Sequence, residues 1–84
     1  MKNQHNIEKH GIDFANAVRI FENPTFEVVD ERRDYDEKRV AAMGTVEGII
    51  LYVVYTTPGG NRRIISARRA NRRERRTYRE GFSQ

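Results

Sequence analysis

The chain contains no cysteine, which removes both a disulfide framework and a thiolate zinc site. Long apolar runs are also missing. The longest, "IILYVVY" from Ile49 to Tyr55, falls far short of the roughly 20 residues that span a bilayer. The start, "MKNQHNIEKHG", carries no apolar h-region and does not read as a secretory signal. The expectation is a soluble, cytoplasmic chain with no membrane partner. No internal repeat and no Pro/Gly/Ser-rich linker divides it, so residues 1–84 read as one small domain. A chain this size buries only about 60% of its unfolded surface. Its stability alone is modest, and a partner that binds the folded form adds to it.

Metal and nucleotide signatures are missing as well. There is no HExxH spacing, no repeated D-x-D, no GxGxxG and no P-loop. Ser66 and Ser83 lack the context of a nucleophile elbow. An enzyme built from this inventory is expected to use no metal and no cofactor, and to work by charge and positioning.

What the chain has is arginine. Nine arginines fall between Arg62 and Arg79. Residues 1–61 hold 7 Lys/Arg against 10 Asp/Glu, a net charge of −3, whereas residues 62–84 hold 9 Arg against 2 Glu, a net of +7. A basic end on a mildly acidic body points to a polyanion or an acidic protein as partner.

The pattern along the chain is α-α-β-β-β-β-α. Residues 3–10 form a short helix with Gly11 at its C′ position. Asp13 is the N-cap of a second helix, in which Phe14, Ala17, Val18 and Phe21 make one apolar stripe, and Asn23-Pro24 ends it. "TFEVVD" (25–30) alternates as a strand, and "ERRDYDEKR" (31–39) is a charged loop. "RVAAMG" leads to a turn at "TVEG", and "IILYVVYT" (49–56) is the central strand, buried on both faces. "PGGN" turns the chain into an antiparallel strand, "RRIISARRA". Asn71 followed by Glu74 makes a capping box that opens a last helix, about 72–80. Helices packed on one antiparallel sheet make the class α+β.

Period-2 alternation puts Arg62, Ile64, Ser66 and Arg68 on one face of the last strand, and Arg63, Ile65, Ala67 and Arg69 on the other. On the last helix Arg72, Arg75, Arg76 and Arg79 stand at i, i+3, i+4, i+7, a cationic ridge. Charged helix faces are usually solvated surface. Two features favour a bound anion: every basic residue here is arginine, whose planar fork binds phosphate or carboxylate bidentately, and the cluster spans a strand and the next helix. Tyr78, Tyr52 and Tyr55 offer stacking surfaces for single-stranded RNA, with packing the plainer role for Tyr52. RNA, DNA and an acidic protein all remain open on this evidence. Lys9 and His10 stand together at a helix end, where a lone histidine is more often structural than catalytic; His5 carries no signal.

Three stretches together resemble the BrnT family. They are "NIEKHGIDFANAVRIFENP", a G-x-x-x-G turn at Gly44 and Gly48, and "RRIISARRANRRERRTY", covering about Asn6 to Tyr78. The resemblance implies a RelE-like fold and a toxin of a type II toxin–antitoxin system. It also implies metal-independent cleavage of RNA that inhibits translation, and neutralisation by a BrnA-like antitoxin. Operator DNA would be bound only through the antitoxin complex. Members of the family open with a short aromatic-Asp strand before the first helix, and no such strand is read here, so either the start site is internal or one sheet edge is absent. On this reading Arg63 and Arg68 clamp the scissile phosphate, because an arginine with a pKa above ~12 cannot act as the base. Glu74, His10 and Lys9 are the acid/base candidates, and Tyr78 orients the nucleotide. Arg62, Arg69, Arg72, Arg76, Arg79 and Tyr55 guide the RNA. The alternative is a non-catalytic basic module that docks an acidic antitoxin and contributes to operator autorepression.

Overall fold

The computed structural model describes residues 2–30 and 38–81. The charged segment 31–37 and Ser83 lie outside the described residues. The elements come in the expected order: α1 (Lys2–His10), α2 (Phe14–Ala17) and β1 (Phe26–Asp30), then β2 (Arg39–Val46), β3 (Ile49–Thr56), β4 (Arg63–Arg69) and α3 (Arg72–Gly81). The strands form one antiparallel sheet in the order β1-β2-β3-β4, so the class is α+β. Arg39, read as the end of a loop, already opens β2. Among the described residues no helix is long and apolar enough to cross a membrane.

Asp13 caps α2 as expected, its side chain accepting from the Ala15 backbone N–H. Beyond Ala17 the chain tightens into a 3-10 helix over Val18–Glu22. That change of pitch corrects the apolar stripe. With about 3.0 residues per turn, Ile20 falls in line with Ala17 and both are fully buried, while Val18 is turned outward, 44% exposed. Ile20 can sit this close because β2 has Gly44 beneath it: a Cβ there would lie 2.8 Å from Ile20 Cβ. Gly44 is thus a contact inside a strand, not part of a turn. The turn itself is the two residues Glu47 and Gly48, both at positive φ (52° and 81°), the geometry of a tight hairpin.

The core lies between the α2 segment and one face of the sheet, where Ile12, Ala17 and Ile20 meet Ala42, Leu51, Val53 and Ala67. β3 lies inside the sheet and is buried or half-buried on both faces, apart from the exposed Ile49 at its start. β4 departs from simple alternation. Its register against β3 shifts between Val54 and Tyr55, where Ser66 pairs with Val54 but Ile64 with Tyr55, leaving Ile65 as the extra residue of a bulge. The bulge re-phases the strand. Ile64 joins Ala67 and Arg69 on the core side, whereas Arg63, Ser66 and Arg68 share the opposite face. The expected grouping of Arg62 and Ile64 with Arg68 is therefore wrong, because one inserted residue inverts the parity.

α1 is a short polar helix that flanks the outer edge of β4. A strand edge presents unpaired backbone groups, and Asn6 answers them with its carboxamide. Its Nδ2 donates to Ala67 O at 2.8 Å, and its Oδ1 accepts from Ala67 N at 3.0 Å. Nδ2 also donates to Ile12 O at 2.8 Å. Asn6 is 5% exposed, so every one of these groups would otherwise be buried without a partner.

Candidate functional site

Cross-strand pairing lines up Phe26, Met43, Tyr52 and Arg68 in one row on the face opposite the core. α3 lies against one end of this face. Its Glu74 reaches Arg68, its Tyr78 hydroxyl donates to Pro24 O at 3.3 Å, and Gly81 packs on the Phe26 ring. The helices therefore divide between the faces and edge of the sheet.

Arg68 is the centre of the arrangement. Its Nη1 and Nη2 donate to Glu74 Oε1 and Oε2, both at 2.7 Å, in a bidentate fork. Its guanidinium carbon lies 4.3 Å from the centroid of the Tyr52 ring. Glu74 is fixed in turn by the capping box: Asn71 N donates to Glu74 Oε1, and Glu74 N donates to Asn71 Oδ1, each at 2.8 Å. The hydrogen bonds from Arg68 hold the Glu74 carboxyl below its usual range, outweighing the opposing effect of burial, and the Asn71 backbone adds to them. The same hydrogen bond raises the Arg68 pKa above its usual value. At neutral pH both groups are charged and each occupies the other. Glu74 in this pairing is a cap and a holder of Arg68, and a weak base.

Arg63 opens β4 on the same face as Arg68, with Ser66 between them. On α3, Arg72, Arg75, Arg76 and Arg79 line a shallow groove together with Glu80. Arg75 is half-buried and donates to Ala70 O at 2.7 Å, so the outward ridge is carried by Arg72, Arg76 and Arg79. Tyr78 is half-buried and anchors α3.

Other expected site residues lie elsewhere. Lys9 and His10 end α1, with no hydrogen bond or ion pair to Arg68 or Glu74. Arg69 lines a separate shallow groove with Gly11, Ile12 and Asp13 on the core side. Arg62 lies over the Phe21 ring, also on that side. Tyr55 is corrected: its ring is 6% exposed and meets Phe21 edge-on, so it has no face to offer a base. Its hydroxyl donates to Glu27 Oε1 at 2.5 Å, and burial pushes its pKa up. Sequence reasoning missed Tyr52 as the support under Arg68. The register implied by the "PGGN" turn puts Ala67 opposite Tyr52, and only the bulge at Ile65 brings Arg68 there.

Among the described residues no three His, Cys, Asp or Glu side chains converge as a metal-binding group. The chemistry on display is that of an anion-binding surface, one preordered guanidinium backed by further arginines on a small α+β domain. The family model for BrnT, the ribonuclease toxin of type II toxin–antitoxin systems, matches residues 1–74, and the chain belongs to that family. The match takes in Arg63, Arg68 and Glu74 and stops before Arg75. No individual curated protein matches the chain.

Proposed function

We propose that the chain is a RelE-like endoribonuclease toxin of the cytoplasm that cleaves RNA without a metal ion and so stops translation. The observation that carries this reading is Arg68, held on Tyr52 with its fork on Glu74, on the face it shares with Arg63. In the reaction the 2′-oxygen bonds to the adjacent phosphorus and the P–O5′ bond breaks, leaving a 2′,3′-cyclic phosphate. Arg68 and Arg63 hold the extra negative charge of the five-coordinate phosphorus. When the phosphate takes the Arg68 fork, Glu74 loses the partner that acidifies it, and its affinity for a proton rises. It then accepts the 2′-hydroxyl proton, and His10 or Lys9, at the end of α1, is the proposed donor to O5′. Arg72, Arg76 and Arg79 guide the RNA, with Arg69 as a further phosphate contact and Tyr78 as the anchor that keeps α3 in place.

The test is cleavage of end-labelled RNA by purified protein in EDTA, with product ends assigned by mass. Cyclic phosphate ends and a fall of about 10²–10³ in rate for Arg68→Lys support the clamp. Cleavage that stops in EDTA and returns with magnesium removes the metal-free mechanism.

A second reading has its own observation. The Arg68 fork already holds a carboxylate, that of Glu74, so an acidic segment of a BrnA-like antitoxin has a ready geometry to copy. Such a partner would neutralise the toxin by occupying this face, and operator DNA would be bound through the antitoxin. In the strict form of this reading the chain only docks, and EDTA-independent cleavage would refute it.

A further inference from the structure

Away from the Arg68 face, Arg62 is ordered on aromatic rings, with no ion pair to a carboxylate among the described residues. The guanidinium carbon of Arg62 lies 3.9 Å above the centroid of Phe21, at stacking distance, and 5.6 Å from that of Tyr55. Phe21 is itself fixed edge-on against Tyr55, with centroids 5.4 Å apart and planes at 90°. Tyr55 extends across the fully buried Ala42 of β2 to reach Glu27 on β1. Arg62 and Glu27 are both exposed, and Tyr55 links them from beneath. Holding so long a side chain at an exposed position costs rotamer entropy, which a bound ring would offset.

We propose that Arg62, seated on Phe21, is a stacking platform for one base of an RNA strand, and that Glu27 beside it reads the edge of that base. The proposal rests on RNA being the substrate. A guanidinium plane and a nucleobase stack regardless of sequence, which gives binding. The carboxylate adds discrimination. Glu27 Oε1 takes the Tyr55 hydroxyl, and the other oxygen can accept only from a donor. Adenine and cytosine carry an exocyclic amine to offer it, whereas uracil has only its N3–H, set between two carbonyl oxygens that a carboxylate repels. Arg62 and Arg63 are consecutive and serve opposite sides of the sheet, so a strand clamped at Arg63 has a neighbouring nucleotide in reach of Arg62.

The test uses the full chain and short fluorescein-labelled 2′-O-methyl oligomers of A, C or U, which cannot be cleaved because the nucleophile is blocked. Binding is read by anisotropy, with melting temperatures measured alongside. The wild type is expected to bind the A and C oligomers several-fold more tightly than U. Arg62→Lys, which keeps the charge and loses the plane, is expected to weaken A and C binding about tenfold at unchanged melting temperature. Glu27→Ala is expected to abolish the preference against U. Should Arg62→Lys fail to fold, Phe21→Leu removes the ring face while keeping an apolar side chain, with the same expectation. Unchanged affinity in the platform variant while Arg76→Ala weakens all three oligomers overturns the platform and leaves the RNA reading standing. Failure of the wild type to bind any oligomer overturns both.

Discussion

The two terminal helices are both short and polar, and neither buries an apolar side chain, yet they are attached in different ways. α1 is fastened by a neutral carboxamide, Asn6, that sits 5% exposed and saturates three backbone groups. α3 has no buried residue and is fastened by a charged pair at its first turn and by Tyr78 near its end. A buried amide on a strand edge has no substitute in water, so α1 is part of the fold. A half-exposed ion pair can be exchanged for another anion, so α3 and Arg68 form a surface that a phosphate or carboxylate can rearrange. The part of the molecule that holds weakly is the part that carries the arginines.

The most severe break is expected on the α1 side. Asn6→Ala leaves the Ala67 N–H and C=O and the Ile12 C=O without partners, at a cost of about 3 kcal/mol. For a domain of this length that corresponds to a fall of roughly 12–24 °C in melting temperature by far-UV circular dichroism. A fall of only a few degrees would show that water replaces the amide and that the edge is not sealed. Gly44→Ala comes next, because its Cβ meets the fully buried Ile20 of the 3-10 segment. Overpacking of that kind costs about 1–3 kcal/mol, and RNA binding per folded molecule should be unchanged.

On the α3 side the expected stability change is smaller and local. Glu74→Gln keeps a capping side chain but loses the charged fork, for about 1 kcal/mol after solvent screening. Hydrogen exchange should show lost protection in α3 and none in α1. The same pair gives a pH dependence. The folded pKa of Glu74 is lowered, so its contribution is complete above the usual value of 4.5. It is lost as pH falls through the lowered folded value. Protection of α3 amides should therefore drop in that acidic window in the wild type and stay level in Glu74→Gln. A parallel loss in both would place the acid sensitivity in another group.

The smallest expected effect lies in the β2–β3 hairpin. Glu47 adopts a φ of 52° that asparagine accepts more readily, so Glu47→Asn should stabilise the hairpin by about 0.5–1 kcal/mol. Its exposed ion pair with Arg19, at 3.5 Å, offsets only a small part of that gain. Cleavage at the Arg68 face should not respond, which makes it a stability control for the other variants.

Much of this molecule is decided by local sequence. The Asn71–Glu74 capping box, the Asp13 cap, the hairpin at Glu47-Gly48 and the apolar run of β3 all act within a few residues, where spacing alone specifies the hydrogen bonds or the burial. The concentration of charge in residues 62–84 is equally legible, because composition needs no fold. Tertiary structure decided what those arginines face. One bulge residue, Ile65, turned Arg62 away from Arg68, and only the pairing with β3 shows where the extra residue falls. The role of Asn6 depends on a strand edge 61 residues along the chain. Tyr55 reads as an available ring until Phe21 and Glu27 close around it from other elements. Local hydrogen bonds and periodicity are set by neighbours in the chain, whereas the partner of a long side chain is chosen by whichever strands and helices the packed core brings beside it.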